Sequence, residues 1–188
     1  MTKTVAMFGS ARTSQYDPRY ERTEKAASYL AKKGWTVATG GGPGLMEAAN
    51  KGAKSVCVDG VCSLGYSIYL PFEAETNEHV QEDHPHKTFF TRLEEFANCD
   101  AFIALHGGYG TLLEILTVVQ LIQVEHMPPK PLILVGSAWL TVMERADLTL
   151  KQTGVVGVQE GPYWQLAKNP MEAAKLLIKL TSEELMVS

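Results

Sequence analysis

Ala101-Phe102-Ile103-Ala104-Leu105-His106-Gly107-Gly108-Tyr109-Gly110-Thr111-Leu112-Leu113-Glu114 is the stretch whose reading decides the fold. Five consecutive apolar residues lead through His106 into a glycine turn, followed by apolar residues at helical spacing. This predicts a buried strand over Asp100–Leu105, a glycine turn, and a helix from Leu112 to about Val124. The same order occurs earlier in the chain. Trp35–Thr39 reads as a strand, Gly40-Gly41-Gly42-Pro43-Gly44 as a turn, and Leu45–Lys54 as a helix. At the start, Thr4–Phe8 reads as a first strand that ends at Gly9-Ser10.

The rest of the chain extends the alternation. A helix is expected over Glu21–Lys33, stopped by Gly34 as a C′ glycine. One or two strands are expected between Ser55 and Leu70, ending at Pro71, and a polar surface loop over residues 74–86. Further helices are expected over Phe89–Ala97, Trp139–Arg145 and Met171–Leu180. A strand is expected over Pro131–Val135, and a loop or short strand over Gly154–Tyr163. Strands alternating with helices imply an α/β, Rossmann-like doubly wound parallel sheet with right-handed crossovers. No repeat or linker divides the 188 residues, so one domain over residues 1–188 is expected.

Composition narrows the function classes. Hydrophobic residues make up 45 % of the chain, enough for an ordinary core. The net charge is −4 with no basic run, so a nucleic-acid partner is not expected. No apolar run reaches the roughly 18 residues of a membrane span. The chain enters a strand pattern at once, without a targeting segment, so a cytoplasmic location is expected. Cys57, Cys62 and Cys99 are odd in number, which suggests reduced thiols. The five histidines show no metal-ligand spacing, and neither a metal nor a cofactor is expected.

In an open parallel sheet, ligands bind beyond the carboxyl ends of the strands. The segments Gly9–Arg12, Gly40–Gly44 and Gly107–Thr111 lie there. Glycines let the backbone approach an anion, and a helix N-terminus offers free N–H groups and partial positive charge. Two such strand-to-helix junctions point to a nucleotide phosphate. No Lys-Ser/Thr follows the glycines, which excludes a Walker A loop. No Gly-x-Gly-x-x-Gly follows the first strand, which disfavours a dinucleotide. Glu114 has two readings. With Thr111 it matches a capping box; alternatively it places a carboxylate one turn into the helix, beside the phosphate. Arg92 is either a surface helix residue or a site residue. Glu47 is either an acid favoured by the start of its helix or a second carboxylate.

The segments Gly40–Ala48 and Gly107, Gly108, Gly110, Thr111 and Glu114 together resemble the paired motifs of the Lonely Guy (LOG) family, often labelled "lysine decarboxylase". Phe8-Gly9-Ser10, Leu70–Glu73 and Phe89-Phe90-Thr91-Arg92 look similar as well, and the resemblance spans about residues 3–145. It implies a phosphoribohydrolase that releases free base and ribose 5-phosphate from AMP or a cytokinin-type ribotide. It places catalysis on Arg92 and Glu114. Nucleotide binding would fall to Gly9, Ser10, Gly41, Gly42, Met46, Gly107, Gly108, Gly110 and Thr111. It also implies a homodimer, with the apolar helix after Glu114 at the interface. Two departures stand out: His106 replaces the family's proline, and Leu93 follows Arg92 where many members have lysine. These keep a second expectation open, a non-catalytic carrier of the same fold, as in molybdenum-cofactor carriers. Lysine decarboxylation needs a Schiff-base lysine and a pyridoxal phosphate site, and neither glycine loop contains a lysine.

Overall fold

The computed structural model describes residues 2–68 and 76–187, with side chains to residue 182. The chain runs β1 (Lys3–Phe8), α1 (Pro18–Lys32), β2 (Trp35–Thr39), α2 (Leu45–Lys54), β3 (Ser63–Gly65), β4 (Glu82–Asp83) and α3 (Phe89–Ala97). It continues through β5 (Ala101–Ala104), α4 (Tyr109–Gln123), β6 (Leu132–Val135), α5 (Ser137–Gln152), β7 (Gln165–Ala167) and α6 (Pro170–Val187). The strands form one parallel sheet in the order β4-β3-β2-β1-β5-β6-β7. This is the α/β Rossmann-like architecture expected from the alternation. The expected resemblance at Leu70–Glu73 lies outside the described residues.

The period-2 geometry of β1 divides the core. Val5 and Met7 face one way, among Ala26 and Leu30 of α1, Ala49 of α2 and Leu177 of α6. Ala6 and Phe8 face the other way, among Phe96 of α3, Ile115 of α4 and Trp139 of α5. Phe8 meets Phe96 edge-on with ring centroids 5.1 Å apart. Burying a side chain of that size contributes about 1.5–3 kcal/mol. Because both faces of β1, β2, β5 and β6 are covered, β5 and β6 read as unbroken apolar runs and β1 and β2 as mainly apolar ones, broken by Thr4, Thr36 and Thr39.

Several boundaries differ from those expected. α1 begins at Pro18, because Asp17 caps it by accepting from the Arg19 amide at 2.8 Å. α5 continues to Gln152. β4 lies within the expected surface loop, and β7 follows the expected loop over Gly154–Tyr163. Both are edge strands of two or three residues, too short for a periodic signal.

The expectation of three reduced thiols is corrected. Cys57 and Cys62 form a disulfide with Cα atoms 5.8 Å apart. The bend through Asp59 and Gly60 brings them within bridging distance, which residue parity could not reveal. Cys99 is free and buried, and burial pushes its thiol up to about 12.

Candidate active site

The carboxyl ends of β1 and β5 lie side by side, and their following helices leave on opposite faces of the sheet. Such a crevice is where α/β folds bind ligands. Hydrogen bonds lace the three loops together there. The Ser10 amide donates to the His106 carbonyl at 3.0 Å, and the Leu45 amide donates to the Ser10 carbonyl at 2.9 Å. The Gly9-Ser10 turn is thereby tied to both glycine loops. Gly44, at φ +71°, allows this closure; a Cβ there would collide with the Ser10 carbonyl oxygen.

The Gly40–Gly44 loop rests on a buried polar network. Thr39 Oγ1 accepts from the Gly41 amide at 3.0 Å and donates to Asn50 Oδ1 at 2.6 Å. Asn50 Nδ2 donates to Ser63 Oγ at 2.8 Å and to the Leu64 carbonyl at 3.1 Å. Asn77 Nδ2 lies 2.9 Å from the Gly41 carbonyl and 3.0 Å from that of Gly42. Sequence reasoning missed Asn50 and Asn77. The first had a usable signal, an amide on the apolar face of a helix between Ala49 and Ala53. The second sits in a polar segment, where nothing marks it out.

The Gly107–Thr111 loop opens directly into α4. The helix starts at Tyr109, three residues before the expected Leu112, with Gly108 as N-cap and no side-chain cap. The capping-box reading of Thr111 and Glu114 is therefore corrected: Thr111 already lies within the first turn. The first-turn amides of Tyr109, Gly110 and Thr111 lack intrahelical acceptors, as at any helix start. Open space surrounds the positions where Gly108 and Gly110 would carry a Cβ.

Freed from capping, Glu114 turns to Arg92. The Arg92 Nη2 lies 3.5 Å from Glu114 Oε1, and both side chains are almost wholly buried. α3 supplies Arg92 from its first turns. Thr88 caps that helix by accepting from the Thr91 amide at 3.2 Å. The guanidinium carbon lies 5.2 Å from the Phe89 ring centroid and 5.8 Å from that of Phe96, within range of cation–π attraction. Its Nη1 lies 3.4 Å from the position a Cβ on Gly40 would take, and Met46 packs against Gly40 and Gly42. The Arg92 Nε is buried without a partner among the described residues. Burial pushes the Glu114 carboxyl up to about 7, against the opposing pull of Arg92. Near neutral pH it can therefore both take up and release a proton, as a general acid or base must.

The structure thus brings Arg92, Glu114, Met46 and the first glycine loop into contact, and ties Gly9-Ser10 to the second loop at His106. It takes Glu47 elsewhere: Tyr20 Oη donates to Glu47 Oε1 at 2.8 Å, joining α1 to α2. Among the described residues, no cluster of His, Cys, Asp or Glu could hold a metal ion. No described helix is long and apolar enough to cross a membrane.

Similarity to known proteins agrees with the topology. The molybdenum cofactor binding protein of Rippkaea orientalis superposes with a TM-score of 0.66 at 22 % identity, covering 96 % of this chain and 98 % of that one. The molybdenum cofactor carrier protein of Chlamydomonas reinhardtii does so with a TM-score of 0.66 at 17 % identity, over 97 % and 99 %. DNA processing protein A of Helicobacter pylori, a single-stranded DNA binder, gives 0.52 at 18 % identity, over 95 % and 81 %. At these identities the shared property is the fold. No curated protein gives a significant sequence match. The family model described as "Possible lysine decarboxylase" matches residues 46–177, from Met46 through both Arg92 and Glu114. With well over half of its length matched, the chain belongs to this family, the LOG-type family whose paired glycine motifs its sequence carries.

Proposed function

We propose that the protein hydrolyses the N-glycosidic bond of a nucleoside 5′-monophosphate, AMP or a cytokinin-type ribotide. The observation that carries this reading is the buried Arg92–Glu114 pair at 3.5 Å, one turn into a helix whose glycine-rich start is uncapped. The first-turn amides of α4 hold the 5′-phosphate, aided by the helix dipole. Anchoring the phosphate positions C1′ of the ribose over the site. Gly9, Ser10, Gly41, Gly42 and Met46 form the surrounding wall.

The C1′–N bond breaks with its electron pair leaving on the base, and positive charge develops at C1′ and the ring oxygen. A carboxylate facing that carbon stabilises the oxocarbenium-like state and takes a proton from the attacking water. The water's hydroxyl joins C1′ and a proton leaves with the base, giving free base and ribose 5-phosphate. Arg92 keeps unused donors beside Glu114, which suits it to orient the carboxylate or to hydrogen-bond the departing base. Chromatography of AMP incubations tests the reading. Adenine is released by the native protein, whereas Glu114→Gln binds AMP without turnover. Absence of base release from every common monophosphate at high enzyme concentration would overturn it.

A second reading, a non-catalytic carrier, draws on the two molybdenum-cofactor proteins that share the fold. Metal and pterin analysis of the protein as purified separates it from the first: a carrier retains both, a hydrolase neither. We also place a homodimer interface on α3 and α4. Phe90 is 80 % exposed there and Tyr109 93 %, and Leu113 and Leu116 are also exposed. Exposed apolar side chains in such number on one face mark an interaction surface.

A further inference from the structure

A second pocket, of about 270 Å³, lies on the other side of His106 from the glycine cradle. It sits at the carboxyl ends of β5 and β6, beneath the N-termini of α1, α5 and α6. None of Arg92, Gly107, Gly108, Thr111 or Glu114 lines it. Its lining is rich in cations: Arg19, Arg22 and Lys168 all border it. Asp17 neutralises Arg19 through a pair of hydrogen bonds. Arg22 and Lys168 form no salt bridge among the described residues, although the Glu172 carboxylate accepts from the Lys168 amide at 3.0 Å and Glu21 adjoins Arg22.

Two further features point to a ligand. α5 is a 16-residue helix that begins at this pocket with Ser137 and Ala138. Its N-cap is Gly136 at φ +95°, with no side-chain cap and no acidic residue in the first turn. Its first amides therefore face the cavity without a capping acceptor. The neighbouring α6 differs, because Asn169 caps it by accepting from the Glu172 amide at 3.0 Å. The second feature is independent of any helix end. Thr23, on α1, has no solvent exposure and lines the pocket, and its Oγ1 has no hydrogen-bond partner among the described residues. A buried hydroxyl left unpaired is costly, and a ligand oxygen would satisfy it.

We propose that this pocket is a second phosphate-binding site, distinct from the nucleotide cradle. The α5 amides, the Thr23 hydroxyl, Arg22 and Lys168 would surround the anion. The volume falls below the roughly 300–1,000 Å³ of sites for drug-sized ligands. It suits a phosphate group with at most a small substituent, not a whole nucleotide. His106 borders the pocket as well. Its carbonyl also holds Ser10 at 3.0 Å, so the two sites share one loop.

Amide-resolved NMR titration of the full-length protein tests this. Orthophosphate is expected to shift the Ser137 and Ala138 amides saturably. An Arg22→Ala/Lys168→Ala double variant should weaken that binding at least about tenfold, from the loss of two charge-assisted contacts. Thr23→Val, nearly isosteric, should weaken it with an unchanged fold. A parallel titration with ribose 5-phosphate separates the sources. Shifts with orthophosphate alone assign free phosphate, and shifts with both assign a phosphomonoester. The amides of Gly108–Thr111 report on the cradle in the same spectra, so failure of the proposed nucleotide site would be seen separately. No saturable shift at Ser137 and Ala138, or a shift that the double variant leaves intact, overturns the proposal.

Discussion

Replacing Glu114 with glutamine should make the protein's stability less sensitive to alkali, by an amount that the site's geometry sets. In the folded protein the carboxyl is held at about 7, against an ordinary value of 4.5, because it is almost fully buried. Between those two values the folded state holds a proton that the unfolded chain has released. Stability therefore falls as pH rises through this window, and the loss levels off above about 7. Each pH decade is worth about 1.4 kcal/mol, so the full cost of ionising Glu114 in place approaches about 3 kcal/mol. Glutamine keeps an acceptor for Arg92 and cannot ionise. It adds its own fixed offset, since Arg92 loses a countercharge, but that offset does not vary with pH in this range. The quantity to follow is therefore the difference between variant and wild type. Measured by thermal melts at about pH 5 and about pH 8.5, that difference should move in favour of the variant by about 2–3 kcal/mol. For a chain of this length that corresponds to about 4–12 °C in Tm. A difference that stays constant within about 1 °C would refute the raised carboxyl, and with it the general acid–base assignment.

Three other perturbations probe the scaffold and the assembly. Asn50→Leu removes the hub that joins Thr39 and Ser63; it should cost about 2–4 kcal/mol in denaturant unfolding, more than the polar group's own bonds, because its partners stay buried and unpaired. Gly44→Ala puts a Cβ against the Ser10 carbonyl at a positive φ; a loss of at least about 1–2 kcal/mol in thermal melts is expected, with weakened AMP binding by calorimetry. Leu116→Glu places a charge on the exposed apolar face of α4; light scattering at micromolar concentration should change from dimer to monomer, while a wild type that is itself monomeric would remove the interface.

The parts of the fold that were legible in the sequence are those buried on both sides. β1, β2, β5 and β6 are mainly apolar because helices cover both sheet faces, and their boundaries fall within a residue or two of expectation. The edge strands β4 and β7 were not legible. An edge strand of two or three residues needs little apolar content, and pairing with the neighbouring strand defines it. Two helix starts were missed: that of α1, where the Asp17-Pro18 cap signal stands apart from the apolar spacing that begins later, and that of α4, where a glycine without a side-chain cap leaves no signal. The residues of the candidate site could be named from their types, but the groups that support them could not. Asn77 reaches the Gly41 and Gly42 carbonyls from 36 and 35 residues away, and the contact of Arg92 with two aromatic rings depends on how α3 packs. Likewise, the Cys57–Cys62 bridge follows from a bend, which no count of cysteines contains.

The position of the α4 start separates two functions that this scaffold could serve. A helix beginning at Leu112 would have used Glu114 to cap its own backbone, leaving a phosphate cradle with no titratable group beside it. That would be sufficient for a carrier. Starting at Tyr109 instead moves Glu114 into the second turn, where it meets Arg92 at 3.5 Å and loses its water. Dehydration then raises the carboxyl to about 7 even with a guanidinium adjacent. A protein that only holds a phosphate gains nothing from a buried acid that costs stability at neutral pH and repels the anion when ionised. A hydrolase gains the proton-transfer group it needs. The energetic penalty at Glu114 is thus the strongest physical argument for chemistry over storage, and the pH dependence of the Glu114→Gln difference measures that penalty directly.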